Sequence, residues 1–128
     1  MGEFEQISGI AAAAVSRVGN ELAFTFPDVL HVVKICTQHE VAVLGIELFE
    51  VHTDGYSTKR LSLYSHDQSA QQQLNRTLQE SGWQGYVGAS NALAEEFIRQ
   101  NPTGDEHVYL LTTSSWREFR EIQKIKHQ

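Results

Sequence analysis

His31 and His39 stand eight residues apart in a stretch with helical patterning, about 12 Å along the axis at 1.5 Å per residue, so they cannot share one metal ion from one helix. His52 with Asp54, or His66 with Asp67, would need ligands from distant segments, and the clustered cysteine and histidine spacing of a zinc site is absent. These histidines read as surface side chains near turns. Gly82, Gly85 and Gly88 would let backbone amides approach a phosphate, but their spacing fits neither nucleotide-binding fingerprint, and no lysine or arginine follows within a helical turn. They read as turn glycines. Ser114 and Ser115 stand where a helix start needs a cap, with no nucleophile elbow around them. Glu47 is the carboxylate best placed for acid and base work, since strand alternation puts it on the face of Val43, Gly45, Phe49 and Val51. A strand-end glutamate reaching solvent or an arginine is its simpler reading. A small hydrolase or transferase would have to assemble acid and base from separate strands, with Glu47, His52 and His107 as candidates. No cofactor and no metal is expected.

Around these side chains the sequence predicts one α+β domain over residues 1–128, an about four-stranded, largely antiparallel sheet packed with four to five helices. The alanine-rich residues 6–18, closed by Gly19-Asn20, predict a peripheral N-terminal helix within residues 1–20. Pro27 and Asp28 open a stronger helix in which Val29, Val32, Val33 and Cys36 share one face, which makes Cys36 core filling and not a nucleophile. Residues 41–51 are apolar on both faces in their first half, as in a central strand. Asp54-Gly55 signals a turn, and residues 56–65 return as the second arm of a hairpin with Leu61 and Leu63 on one face. Residues 67–81 predict a polar helix with Ala70, Leu74 and Leu78 as its stripe and Gly82 just past its end. The aromatic run 83–87, bounded by glycines, predicts a third strand or an extended connector. Ser90 or Asn91 then caps a helix bearing Leu93, Ala94, Phe97 and Ile98, stopped by Asn101-Pro102. Residues 107–112 predict the last strand, Val108, Leu110 and Thr112 facing one way and Tyr109 and Leu111 the other. Ser115 with Glu118 makes a capping box for a final helix along which Trp116, Phe119 and Ile122 recur.

Charge and composition narrow the function. A chain of 128 residues holds one ordinary core and leaves no room for a two-domain cofactor enzyme. Sixteen acids against ten bases give a net charge of −6, the wrong sign for gripping nucleic acid directly. The acidity belongs to the body: residues 1–113 balance at −8 and residues 114–128 at +2. Glu47, Glu50 and Asp54 near one turn, with Tyr56 as an aromatic anchor and Asp105 with Glu106 before the last strand, predict a negative partner-binding surface. Arg117, Arg120, Lys124 and Lys126 read as the basic end of a helix complementing its dipole. Cys36 is the only cysteine, so no intramolecular disulfide forms. Glu3 and Glu5 stand where a secretory signal would carry basic residues, and no run approaches the roughly 20 apolar residues of a membrane span, which predicts a cytoplasmic protein.

Three stretches together resemble a group of small bacterial immunity proteins encoded beside polymorphic toxins. They are residues 41–51 with their Val-Leu-Gly-Ile-Glu-Leu-Phe core, residues 83–97 with Asn91 and Leu93, and residues 108–119 with Leu-Leu-Thr-Thr-Ser-Ser. The alanine-rich opening falls outside the resemblance, and no set of binding residues carries over from the group. The resemblance implies a cytoplasmic protein that binds a cognate toxin domain and blocks its active site without catalysis. A nuclease target suits the acidic charge, because a site built for phosphates attracts carboxylates. The other expectations are the hydrolase or transferase above and a scaffold that dimerises through a sheet edge; the immunity-like module itself would be a monomer or a homodimer.

Overall fold

The alanine-rich opening does not make one helix. The computed structural model describes residues 3–7, 9–14, 16–18, 21–51, 58–101 and 107–126. Within it a 3-10 turn (Glu3–Gln6) and a single helical turn, α1 (Ile10–Ala13), are separated by Gly9 in the left-handed region at φ 92°. The chain then becomes extended, and β1 (Ser16–Val18) pairs antiparallel with β2 (Glu21–Ala23). Helix propensity is overridden here by burial: Phe4 and Ile10 enter the main core, so this segment is not peripheral. The expected stop at Gly19-Asn20 lies outside the described residues.

The next helix forms as its periodicity requires. α2 (Asp28–Gln38) buries Val29, Val32, Val33 and Cys36 on one face. It is followed by β3 (Ala42–Val51) and β4 (Thr58–Ser65), antiparallel neighbours. β5 (His107–Ser114) pairs antiparallel with the other edge of β3, giving the order β4-β3-β5. Phe24, just beyond β2, exchanges backbone hydrogen bonds of 3.0 and 2.7 Å with Tyr109, which seats the small ribbon beside β5 and leaves β4 outermost.

The sheet has three strands among the described residues, not four, because residues 83–87 are helical. They belong to the second half of α3 (Gln68–Gln100), a kinked element whose two helical halves meet at Gly82, where the first was expected to end. Trp83, Tyr86, Val87, Ser90, Asn91, Ala94 and Ile98 recur at three- and four-residue spacing and face inward, a helical stripe that outweighs the strand propensity of the aromatics. Gly82 is the one non-helical residue inside the run, at φ 74° and ψ −169°, a conformation that favours glycine. α4 (Trp116–Lys126) starts at the expected capping box: Ser115 N–H donates to Glu118 at 3.0 Å and Glu118 N–H to Ser115 Oγ at 3.1 Å. Three described helices, α2, α3 and α4, therefore exceed a single turn, fewer than the four to five expected.

A bulge in β3 decides which side chains enter which core. Val43 aligns with Thr113 and Gly45 with Thr112, so Leu44 is an extra residue. Strict alternation would put Val43 and Ile46 on opposite faces; the extra residue lets both join α2 and the later part of α3 in the main core. Leu44 instead packs with Leu74, Leu78, Tyr86 and Phe119 on the other side. Gly45 sits beside this bulge where a Cβ would stand 3.0 Å from the Tyr64 carbonyl oxygen, a close approach that would make β4 give by a few tenths of an ångström for a larger residue.

Candidate functional site

β4 ends at Ser65, opposite Gly45, so the edge of β3 before Gly45 has no strand among the described residues to pair with on that side. Two polar side chains in the middle of α3 take its place. Val43 N–H donates to Asn91 Oδ1 at 2.7 Å, and the Val43 carbonyl accepts from Ser90 Oγ at 2.7 Å. Asn91 Nδ2 donates to the Val41 carbonyl at 3.0 Å and to Thr37 Oγ1 at 2.8 Å, tying α3 to β3 and α2 together. Ser90 and Asn91 are thus buried partners of a strand edge and not the expected helix cap.

The same serine ends a side-chain chain that contains the most chemically suggestive group in the molecule. His66 Nε2 lies 2.9 Å from Ser90 Oγ, and His66 Nδ1 lies 3.0 Å from the Tyr64 hydroxyl. A carbonyl only accepts, so the Ser90 proton is committed to Val43. His66 Nε2 must then carry a hydrogen and donate it, and its Nδ1 accepts from Tyr64. Burial pushes the His66 pKa below the ordinary 6.5, with the nearby Asp67 carboxylate working in the opposite direction. The Tyr64 hydroxyl is shifted upward by burial, then by Asp67 and Glu96, which keeps it a donor. A serine, a histidine and a tyrosine in line look like nucleophilic machinery, but the polarity is reversed: the imidazole gives a hydrogen to the serine, and that serine is buried. His66 stands in the short connection between β4 and α3 and lines the open groove, as a side chain near a turn would, but these contacts fix it in place.

In front of this chain opens a groove of about 1040 Å³ between residues 68–81 of α3 and α4. Its apolar surface comes from Leu44, Leu78, Tyr86, Phe119, Trp116 and Ile122. Gln71, Asn75 and Gln79, at four-residue spacing, form a straight amide row along the α3 wall. Trp83 and Tyr86 stack at 5.0 Å, Phe119 contacts both at 5.1 and 5.3 Å, and Trp116 lies 5.3 Å from Trp83. Trp83 is fixed by its Nε1–H donating to the Glu40 carbonyl at 2.7 Å. Arg120 holds its guanidinium 5.5 Å from the Trp116 ring centre, which positions a cation on the rim. Trp116 and Ile122 remain 40% and 47% exposed, large apolar groups without full cover.

Of the residues anticipated for partner binding, only Glu47 and Glu50 lie among the described residues. Glu47 shares a face with Gly45 and Phe49, and not with Val43 as expected, because of the Leu44 bulge. Its carboxylate pairs with Arg60 at 3.5 Å and is partly exposed. Glu50, aligned with Lys59 and His107, points to the opposite face of the sheet. Asp54, Tyr56, Asp105 and Glu106 lie outside the described residues, as does His52. Glu47 and His107 do not converge, since they too occupy opposite faces. Gly82, Gly85 and Gly88 all fall within α3 and form no phosphate loop. Among the described residues no three His, Cys, Asp or Glu side chains gather as a metal site, and no helix is long and apolar enough to cross a membrane. Cys36 is buried in the main core, its thiol pushed up to about 12 by burial.

The groove was legible only in part. Trp116, Phe119 and Ile122 mark its α4 wall by their spacing, but the opposite wall depends on residues 83–87 being helical. Protein-family models, curated proteins and solved structures include none that matches this chain.

Proposed function

We propose that this chain is a non-enzymatic protein-binding module of the immunity type, which neutralises a cognate toxin domain in the cytoplasm by covering its active site and grips that domain through the groove between α3 and α4. The observation that carries the reading is the open apolar groove with Trp116 and Ile122 exposed on its α4 side and an ordered aromatic cluster beneath. Exposed aromatics held rigid by their neighbours lose little entropy on contact and act as anchors of protein interfaces. The reversed polarity of the His66–Ser90 pair and the engagement of Glu47 by Arg60 favour binding over catalysis. The net charge of −6, carried outside the groove lining, fits a nuclease as the target, since its phosphate-binding site is cationic.

Co-expression with candidate toxins from the neighbouring reading frames tests this reading. The unaltered chain restores growth, and Trp116→Ala with Ile122→Asp removes the protection while the variant still folds. Protection that survives both substitutions, or no protection by the unaltered chain, overturns it.

A further inference from the structure

Within that protein-binding reading, we infer that the groove docks a helix of the partner whose flanks are acidic. The first argument concerns backbone chemistry. Both walls are helices, whose main-chain groups are satisfied within themselves, so an extended segment lying along them would find no N–H or C=O partners there, and only Leu44, Ser65 and His66 of the lining lie outside a helix. A helix brings its own hydrogen bonds and needs only an apolar face. The α3 wall offers a straight ridge of Gln71, Asn75 and Gln79, about 12 Å long at 1.5 Å per residue, which matches two turns of a packed helix. Amides at that ridge can hydrogen-bond side chains of either sign without demanding a charge.

The second argument is charge. The chain as a whole is acidic, yet the charged side chains that line the groove are Arg120 and Lys124, with no carboxylate among the described lining residues. Arg117 and Arg120 continue the same sign into a smaller depression of about 400 Å³ on the far side of Trp116, where Glu40 and His39 also stand. The acids nearest along α4 do not cancel this: Glu118 is bound to the Ser115 N–H, and Glu121 meets Lys124 only at 3.9 Å with both side chains largely exposed. A partner helix with leucine-like residues on one face and glutamate or aspartate beside it would bury its apolar stripe against Trp116, Phe119 and Ile122 while pairing with Arg120 and Lys124. A lysine-flanked helix of the same shape would meet like charge.

A display library of about 14-residue helical peptides, lactam-bridged because unbridged helices of that length are marginal in water, tests the inference. Glu and Lys are randomised at equal frequency at the flanking positions, and the library is selected on the full chain and counter-selected on Ile122→Asp. The expected result is enrichment of Glu over Lys, with the winning peptide bound about tenfold more weakly by Arg120→Glu/Lys124→Glu. Both variants sit on the exposed face of α4, and an unchanged thermal melt verifies that they fold. Equal use of the two charges, a preference for Lys, or no binder lost on Ile122→Asp overturns the inference. If Ile122→Asp abolishes toxin protection while selection shows no acidic preference, the partner-binding reading stands and this inference falls. If acidic helices bind but protection survives Ile122→Asp, the reverse holds.

Discussion

His66 donates its Nε2 hydrogen to Ser90 Oγ across 2.9 Å, and Ser90 passes its own hydrogen to the Val43 carbonyl at 2.7 Å. The direction of those two bonds separates a structural relay from a catalytic one. A nucleophilic serine needs its proton taken by the imidazole, whereas here both hydrogens flow toward a strand edge that lacks a neighbouring strand among the described residues. The pair closes the sheet where β4 stops, and it sets the floor against which the α3/α4 groove is built.

Ser90→Ala leaves the Val43 carbonyl and the His66 Nε2–H without their buried partner. Unfolding in urea should register a loss of about 1–3 kcal/mol. Toxin protection by the surviving folded fraction should be unchanged, because Ser90 does not reach the surface. A loss of protection without a loss of stability would assign this serine a direct role.

Asn91→Ala should be the costlier change. It removes the acceptor for Val43 N–H and the donor to both Val41 and Thr37, so about 2–4 kcal/mol is expected from two orphaned backbone groups. Asn91→Asp keeps the acceptor but loses the donor and buries a charge, so it should not rescue. Equal stability of either variant and the parent in denaturant titration would show that another group covers the β3 edge.

Stability should fall on acidification through His66. Its folded pKa lies below 6.5, so folding favours the neutral ring. This contribution is complete above about pH 6.5 and is lost as pH drops through the folded value, the unfolded chain binding the proton more readily. The NMR titration of the His66 ring should give a midpoint below the ordinary 6.5, and His66→Gln should flatten this part of the stability profile. A midpoint above the ordinary value would reverse the assignment of the neutral tautomer.

Cys36 should be silent toward thiol reagents in the folded chain, since a buried thiol held up to about 12 carries almost no thiolate at neutral pH. Labelling with an aromatic disulfide reagent should track global unfolding across a denaturant series. Rapid labelling in buffer alone would mean that α2 opens locally.

Much of the fold is written in local periodicity. Val29, Val32, Val33 and Cys36 specify α2, the Ser115–Glu118 box specifies the start of α4, and the alternation of Val108 and Leu110 against Tyr109 and Leu111 specifies β5, with each set in its own cluster. The features that position the site are less local. Trp83, Tyr86 and Val87 carry strand-forming types at helical spacing, and their neighbouring glycines suggest a break that only Gly82 makes. The roles of Ser90 and Asn91 depend on β4 ending two residues short of Val43, a register that no motif announces. The bulge at Leu44 likewise moves Glu47 off the face of Val43 through pairing with β5, which alternation along one strand cannot reveal.

The most direct test of the proposed groove interface is backbone hydrogen exchange on the complex with whichever toxin co-expression identifies as the partner. Slowed exchange should fall on residues 116–124 and 71–79, the two walls of the groove, with β4 unchanged. Protection confined to residues 58–65 of β4, or none at the groove in a stable complex, would contradict the account.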